Sequence, residues 1–297
     1  MTLIHDDDCY QTVRRAFDAP WSGPRGPQVL LRDGDLTATI YPHDGCRMTS
    51  LTAFGLELLR QWTPDRRAFQ YGCFPMVPWV GRLGSGRLQF GERSWQLPVN
   101  KPPHALHGMA CFAPWRIGAT SASSAEFHFD LGDPWPWQGS VTQRYELAGN
   151  TLTIALKIST AGDSFPAAAG WHPWFRKGLS ETATDAEKLH IGFTADWQYA
   201  PGSDELPSSE RIAPRPGPWD DCFGFDGPMR AELLWPGQVR LDMTSPASSM
   251  VVYDKQPDAA CVEPLSGPPN GVNTAPQLVS TASDLVTITQ WAISRAV

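Results

Sequence analysis

The sequence predicts an all-β fold, a large antiparallel β-sandwich. Apolar and polar residues alternate with a period of two in many short segments, as in strands that bury one face. Asp-Gly, Gly-Glu and Gly-Asn pairs interrupt the longer segments, and proline or glycine separates the shorter ones, as tight turns do. Only the short segment 180–189 has the composition of a helix. Many short strands with almost no helix are typical of a sandwich.

The alternation places the strands along the chain. Four long segments each predict a strand or a hairpin: 28–41, 87–97, 141–158 and 284–293. Four shorter strands are expected at 229–234, 238–243, 249–253 and 259–263. The glycine-rich segment 81–86 is interpreted as a turn.

The proline-rich segment 214–223, P-R-P-G-P-W-D-D-C-F, is either an interdomain linker or a loop at a functional site. Strand-like sequence continues on both sides, and Trp219 and Phe223 within the segment are apolar, which favours the loop. All-β sandwiches of this length commonly form one unit. We therefore expect residues 1–297 to form a single domain.

Composition and charge narrow the function. Hydrophobic residues make up 41% of the chain and charged residues 19%, which predicts a globular protein with a sizeable core. The net charge is −7 and the basic residues are scattered in sequence, so nucleic acid and anionic membranes are not expected partners. No apolar run reaches the ~18–20 residues of a membrane helix, and the start M-T-L-I-H-D-D-D-C-Y lacks signal-peptide features. A cytoplasmic protein with a small-molecule partner is expected.

No metal site is predicted. His104 and His107 form an H-x-x-H pair, but no acidic ligand follows, and Pro102 and Pro103 argue against a helix there. The cysteines form no C-x-x-C pair, which disfavours zinc and thioredoxin-like motifs. They are expected to be reduced and mostly buried. The six are Cys9, Cys46, Cys73, Cys111, Cys222 and Cys261.

Two common enzyme classes are also disfavoured. The glycine-rich G-R-L-G-S-G lacks the G-K-[ST] ending of a P-loop and the G-x-G-x-x-G spacing of a dinucleotide site. No G-x-S-x-G motif is present, so a Ser-His-Asp hydrolase has no visible nucleophile.

Five polar residues stand out because aromatic residues, prolines or glycines surround them in sequence: Arg82, His107, His172, Asp220 and Glu263. His172 is either a core histidine bonded to a carbonyl group or a proton carrier, and His107 is either a loop histidine before a turn glycine or functional. Arg82 either meets a polar partner in a buried site or ends a strand in solvent. Glu263, if buried, is either functional or satisfied by a salt bridge.

Two aspartates and several tryptophans accompany these residues. Asp220 or Asp221 is expected to cap its loop as an Asx-turn. The tryptophans are mostly expected in the core, although the face of one in a cleft could pack against a sugar ring. They are Trp79, Trp115, Trp171, Trp174 and Trp219.

Six segments together resemble the aldose 1-epimerase (galactose mutarotase) family, in the family's order over roughly positions 40–275. They are Y-P-H-D-G-C-R-M-T-S-L (41–51), C-F-P-M-V-P-W-V-G-R-L with G-R-L-Q-F-G (73–91), L-P-V-N-K-P-P-H-A-L-H-G (97–108), G-W-H-P-W-F (170–175), D-D-C-F (220–223) and V-E-P-L-S-G-P-P-N-G-V-N (262–273). The resemblance implies a galactose mutarotase-like supersandwich whose concave face holds a sugar, with no cofactor.

The resemblance also implies residue roles. Glu263 would be the general base that takes the proton of the anomeric hydroxyl, and His172 the general acid that protonates the ring oxygen. A carboxylate and a histidine suit this reversible exchange, since both pKa values can be drawn towards neutrality. The other residues that match the family would hold the sugar: His107, Arg82 and Asp220, with Asp221 ranked lower.

Two departures leave the preferred aldose open. Gly81 stands where the family usually has an asparagine, and Gly108-Met109 replaces a frequent double glycine. Two alternatives to a mutarotase of free aldoses remain, a hexose-6-phosphate 1-epimerase and a non-catalytic carbohydrate-binding protein. A phosphate site would need clustered arginine or lysine, and only Arg87 lies close to Arg82 in sequence.

Overall fold

The computed structural model describes residues 19–202 and 204–296. The expectations for the start of the chain and for Cys9 lie outside these residues. In chain order the strands are β1 (Val29–Asp33), β2 (Leu36–Tyr41), β3 (Arg47–Ala53), β4 (Leu56–Glu57), β5 (Cys73–Met76), β6 (Arg82–Leu83), β7 (Arg87–Phe90), β8 (Arg93–Gln96), β9 (Ala105–Leu106), β10 (Arg116–Thr120), β11 (Ser124–Leu131), β12 (Gly139–Ala148), β13 (Thr151–Ser159), β14 (Phe165–Ala167), β15 (Gly170–Arg176), β16 (His190–Phe193), β17 (Trp197–Pro201), β18 (Pro207–Ile212), β19 (Asp220–Gly224), β20 (Met229–Trp235), β21 (Val239–Ser245), β22 (Ser249–Tyr253), β23 (Ala259–Leu265), β24 (Gln277–Val279) and β25 (Leu285–Arg295).

Two large antiparallel sheets organise these strands. The eleven-stranded sheet has the order β1-β2-β3-β5-β15-β23-β22-β19-β17-β18, with β4 paired to β3. The eight-stranded sheet has the order β10-β11-β12-β13-β25-β21-β20-β16. Three small two-stranded pairs, β14-β24, β6-β9 and β7-β8, complete the described fold. The all-β prediction is confirmed.

The predicted hairpins are confirmed. Segment 28–41 forms β1 and β2 around Gly34, which has φ +55°, the positive φ that favours glycine at a tight turn. Segments 87–97 and 141–158 form β7-β8 and β12-β13. The loop predicted at 214–223 ends earlier than expected, because β19 begins at Asp220 and pairs with β22.

Little of the described chain is helical. It contains one α-helical turn, α1 (Gly271–Thr274), and three 3-10 turns, Gly84–Gly86, Ala110–Phe112 and Asp185–Glu187. In the segment 180–189, which has helix composition, only the last of these turns forms. Thr184 and Glu187 form a capping box, but no side chain of that turn is buried, so packing does not extend it. No helix in the described ranges combines the length and apolarity of a membrane span.

The core lies between the two large sheets, and β15 shows how. The Trp171 indole donates to Gln143 Oε1 on β12 (2.9 Å), and the Phe175 ring lies 5.2 Å from that of Trp291 on β25. Side chains alternate along a strand, so His172 and Trp174 project from the opposite face of the eleven-stranded sheet. The five described cysteines are buried and free, as expected.

Candidate active site

A cavity of about 420 Å³ opens on the face of the eleven-stranded sheet turned away from the core. All five predicted site residues line it, although more than 180 positions separate the first from the last: Arg82, His107, His172, Asp220 and Glu263. The central strands β15, β23, β22 and β19 form its floor, and β6, β9 and the β17-β18 loop contribute to its rim. The structure thus brings together the whole predicted set.

His172 and Glu263 face each other at the centre of this floor. The antiparallel register that pairs Trp174 with Cys261 places His172 on β15 opposite Glu263 on β23. His172 Nε2 lies 3.3 Å from Glu263 Oε1, and the two side chains are only 8% and 4% exposed. An imidazole and a carboxyl group are therefore close enough to act on one small substrate.

The His172 ring is fixed by aromatic neighbours. It stacks on Phe74 of β5, its cross-strand neighbour, with 4.8 Å between ring centroids. It also stacks on Trp174 (5.3 Å), and its edge contacts His107 (4.8 Å). These three ring contacts hold the imidazole in one orientation.

Burial governs the charge of the central pair. It raises the pKa of Glu263 well above the ordinary value, with the Asp220 carboxylate as a further cause and Arg82 opposing it. It lowers the pKa of His172 to about 3, with the charge of Arg47 adding to the effect. The contact has the length of a salt bridge, but burial favours the neutral forms of both groups. We therefore describe a pair that shares protons rather than a permanent ion pair.

The arginine behind this pair was not predicted. Arg47 is fully buried beneath Phe74, its Cζ 4.7 Å from the ring, and its Nε lies 3.2 Å from Asp44 Oδ2. Tyr71 donates from its hydroxyl to the same carboxylate oxygen (2.5 Å). Arg47 and Asp44 belong to the segment 41–51 that carries part of the family resemblance, but their place below the site depends on cross-strand packing.

His107 lies in a strained loop at the cavity wall. Its φ is +64°, and its backbone N–H donates to Gly81 O (2.8 Å). Burial lowers its pKa well below the usual value, with His172 and Arg82 as further causes, so it is neutral. Its Nδ1 has no hydrogen-bond partner among the described residues. That nitrogen is itself buried, so the part of this neutral imidazole that lines the cavity is the rest of the ring.

Gly81, which replaces the asparagine frequent in the family, has no room for a side chain. Its φ is +55°, and a β-carbon there would lie 2.8 Å from Cβ and Cγ of Pro269. Gly108 is equally constrained, because a β-carbon would collide with the carbonyl oxygen of Val77. A proline side chain thus fixes Gly81, and a backbone carbonyl group fixes Gly108.

Arg82 reaches the cavity rim, where a loop contacts it. Its Nη2 lies 3.2 Å from Glu205 Oε2, while its Nε is buried with no hydrogen-bond partner in the described chain. His104 supports this loop, because its Nε2 lies 2.7 Å from Asp204 O. Its Nδ1 accepts from the Ser85 backbone N–H (3.1 Å), so both ring nitrogens have protein partners and His104 is a structural residue of the loop.

The two aspartates of β19 have different surroundings. Asp221 Oδ1 accepts from Gln198 Nε2 (2.7 Å), and its Oδ2 accepts from the Asp220 backbone N–H (3.2 Å). The Asp220 carboxylate is exposed and lines the cavity. Asp221 is thus held by the protein, and Asp220 remains accessible to a ligand.

Most of the tryptophans belong to the core, as expected. Trp79, Trp115 and Trp171 are buried, and Trp219 packs partly buried against the core. Trp174 alone of the five predicted candidates lines the cavity. Four other cavity residues were not predicted from the sequence: Arg67, Tyr199, Glu205 and Tyr253. Of these, Tyr253 could have been found, because the period-two pattern of β22 places it on the same face of the sheet as Glu263.

One group of possible metal ligands occurs in the described chain. Donor atoms of His172, Cys261 and Glu263 lie within 4.8 Å of one another. Burial raises the pKa of the Cys261 thiol well above the ordinary value, so the thiolate that binds metals is disfavoured. The donor set therefore fits a metal ion poorly.

The aldose 1-epimerase family model matches residues 27–285. The chain is 26% identical over 231 residues to the uncharacterized protein YphB of Escherichia coli (strain K12), covering 72% of this chain and 79% of the relative.

Solved structures share the fold at low identity. A putative aldose 1-epimerase from Escherichia coli K12 superposes with a TM-score of 0.78 at 20% identity, covering 91% of this chain and 99% of that one. A galactose mutarotase-like protein from Clostridium acetobutylicum gives 0.79 at 17% identity, with coverages of 90% and 95%. Galactose 1-epimerase from Lactobacillus acidophilus gives 0.74 at 17%, with coverages of 94% and 98%. The chain therefore belongs to the aldose 1-epimerase family, a family of sugar mutarotases.

Proposed function

We propose that this protein is an aldose 1-epimerase that interconverts the α and β anomers of a free aldose. One observation carries the proposal: the buried cavity places His172 Nε2 and Glu263 Oε1 3.3 Å apart. Ring opening of a cyclic hemiacetal needs one proton removed from the C1 hydroxyl and another delivered to the ring oxygen. The pair supplies one group for each transfer.

In the proposed reaction Glu263, as carboxylate, accepts the proton of the C1 hydroxyl. The C1–O5 bond breaks, its electron pair moves to O5, and the His172 imidazolium donates a proton there. The open-chain aldehyde rotates about C1–C2, and the two transfers run in reverse as O5 attacks the other face of C1. The pair holds one proton throughout, as carboxylate and imidazolium before ring opening and as two neutral groups after it, so its net charge stays zero. Burial favours the neutral state, from which the reverse transfers start.

The magnitudes are sufficient. A positioned acid or base typically contributes about 10²–10⁴ in rate, roughly 2.7–5.4 kcal/mol. Mutarotation already proceeds slowly in water, so two such groups and a fixed sugar suffice.

We assign binding of the sugar to the rim. Arg82 and Asp220 present polar groups to the cavity, and the His107 ring lines it beside His172. Trp174 and Tyr253 supply apolar surface, with their rings 5.9 Å apart. Such a mixture of aromatic faces and convergent polar groups suits a neutral, hydroxyl-rich ring.

The charge of the cavity favours a free aldose over a sugar phosphate. Its lining contains two arginines, and Arg82 already contacts Glu205. Four carboxylate side chains line the same space: Glu205, Asp220, Asp221 and Glu263. Even with Glu263 neutral, a phosphate dianion would meet three carboxylates and two arginines, contrary to what phosphate recognition requires.

A non-catalytic carbohydrate-binding protein would need the cavity but not the pair. Burying a glutamate and a histidine costs folding free energy, and a protein that only binds sugar gains nothing in return. The pair therefore favours an enzyme.

Exchange spectroscopy tests the proposal. The α and β anomer signals of glucose, galactose and other common aldoses, and of glucose 6-phosphate, are followed by NMR saturation transfer with and without enzyme. We expect accelerated exchange for at least one free aldose. Acceleration of none would refute the assignment, and sugar binding without exchange would favour the binding protein.

A further inference from the structure

A second cavity, of about 600 Å³, lies where three distant segments meet. Backbone hydrogen bonds join them at the end of β15: Arg60 N–H donates to Trp174 O (2.8 Å), and Lys177 N–H donates to Asp258 O (2.9 Å). Residues 60–66, 176–188 and 257–258 supply the lining.

This basic cavity is cationic in an otherwise acidic chain. Among the residues that the structure describes, two carboxylate side chains, Glu181 and Asp258, line it, whereas the whole chain carries a net charge of −7. Its lining includes five cationic side chains: Arg60, Arg66, Arg176, Lys177 and Lys188. Scattered positions in sequence thus converge into one positive site.

The two lysines of the basic cavity have partners, because Lys188 Nζ lies 2.7 Å from Asp185 Oδ1 and Lys177 Nζ donates to Asp254 O (2.6 Å), whereas the arginines are incompletely paired. Asp258 Oδ2 is shared by Arg60 Nε (2.9 Å) and Arg66 Nη2 (3.1 Å), and its side chain is 44% exposed. The Arg60 side chain is only 11% exposed, and its Nη1 has no hydrogen-bond partner within residues 19–202 and 204–296. The Arg60 Cζ lies 5.0 Å from the centroid of the Trp174 ring, which supplies no acceptor for Nη1, so this guanidinium keeps unused hydrogen-bonding capacity at the cavity.

Crowding of like charge supports the same conclusion. Burial and the neighbouring Arg60 charge lower the pKa of Arg66, Asp258 opposes this, and Arg176 adds to it. An anion between these guanidinium groups would relieve their repulsion.

We propose that the basic cavity binds a phosphate dianion, either free or as the monoester of a small polar molecule. Arg60, Arg66 and Arg176 would hold the phosphate oxygens, since guanidinium groups recognise phosphate with paired hydrogen bonds. The volume accommodates more than a phosphate group, and Gln61, Thr63 and Ser180 offer polar contacts for the rest of an ester. This site is separate from the cavity that contains His172 and Glu263 and does not depend on the function proposed for it.

Isothermal titration calorimetry of the full-length protein tests this site, with inorganic phosphate and glycerol 3-phosphate as separate probes at low ionic strength. We expect saturable binding of both or of one, and the tighter probe identifies the free anion or the ester as the preferred form. The variant Arg66→Gln should weaken binding roughly tenfold, because it removes charge-assisted hydrogen bonds.

Arg144→Gln is the matched control. It removes the same charge from a 54% exposed arginine paired with Glu146 on β12, so binding should change less than about twofold. If circular dichroism shows that Arg66→Gln does not fold, Lys188→Gln replaces it, because the Lys188 side chain is 44% exposed. Its phosphate affinity should fall about threefold. No saturable heat with either probe, or equal weakening by the cavity and control variants, would overturn the proposal.

Discussion

The two cavities of this molecule differ in charge although both touch the same strand. His172 of β15 lies in the first cavity, where four carboxylate side chains accompany two arginines. Arg176, at the end of β15, lies in the basic cavity, where five cationic side chains accompany two carboxylates. His172 and Arg176 are four positions apart on the same face of β15, so the loops at the end of the strand separate the two sites proposed here. The net charge of a chain therefore does not describe its local sites.

The largest test of this comparison is the substitution Glu263→Gln. The amide keeps the shape of the side chain but cannot accept the C1 hydroxyl proton, so anomerisation should fall by about 10²–10⁴-fold. NMR exchange measures the loss, and circular dichroism checks the fold. Phosphate binding to the basic cavity should be unchanged. An active Glu263→Gln protein would refute the base assignment.

His172→Asn should reduce exchange by about 10²-fold, because a neutral amide cannot protonate the ring oxygen. The stacking on Phe74 and Trp174 would also be lost, so binding of a non-reacting methyl glycoside is measured in parallel to separate binding from catalysis. His190→Asn, at an exposed position of β16, is the control and should retain full activity. Equal activity of the two variants would exclude His172 as the acid.

The pH dependence of anomerisation tests how the carboxylates of the first cavity affect the central pair. The active pair holds one proton, and a second proton binds to His172 as the pH falls. Because burial lowers the pKa of His172 to about 3, kcat/KM should fall on the acidic side below pH 6.5. Loss of the last proton gives the alkaline fall. Since the Asp220 charge raises the pKa of Glu263, Asp220→Asn should move the alkaline fall to lower pH. If the alkaline fall measured by NMR stays at the same pH or moves to higher pH, this coupling is contradicted.

The smallest expected effect concerns selectivity. Glu205→Gln removes the carboxylate beside Arg82 and makes the first cavity less acidic. The ratio of kcat/KM for glucose 6-phosphate over glucose should rise about two- to fivefold, the size of a surface ion-pair effect. Glu210→Gln, on the exposed edge of β18, should leave the ratio unchanged. A fall in the ratio would show that Glu205 does not oppose anionic sugars.

The sequence predicted the elements that depend on local pattern. Alternation located the hairpins of β1-β2 and β12-β13, because period two and turn residues are local signals. Composition was less informative at 180–189, where it is typical of a helix but the turn Asp185–Glu187 that forms buries no side chain. His172 and Glu263 were selected because their motifs match a family and their chemistry is complementary.

The remaining site features depend on register and long-range packing. Phe74 meets His172 only through the pairing of β5 with β15, and Arg47 reaches the site from below Phe74. Glu205 contacts Arg82 across more than 120 positions of sequence. No single-sequence pattern records such cross-strand neighbours, and the same holds for the arginines of the basic cavity.

The fit of Gly81 against Pro269 also limits how this site can evolve. Asparagine tolerates a positive φ, so the backbone alone would accept the residue frequent in the family. The proline ring, 2.8 Å from where the β-carbon would lie, does not. Positions 81 and 269 therefore form an epistatic pair: the amide can return only together with a smaller or displaced neighbour. With glycine at position 81, any hydrogen bond to a sugar on that side comes from the backbone or from a neighbouring residue.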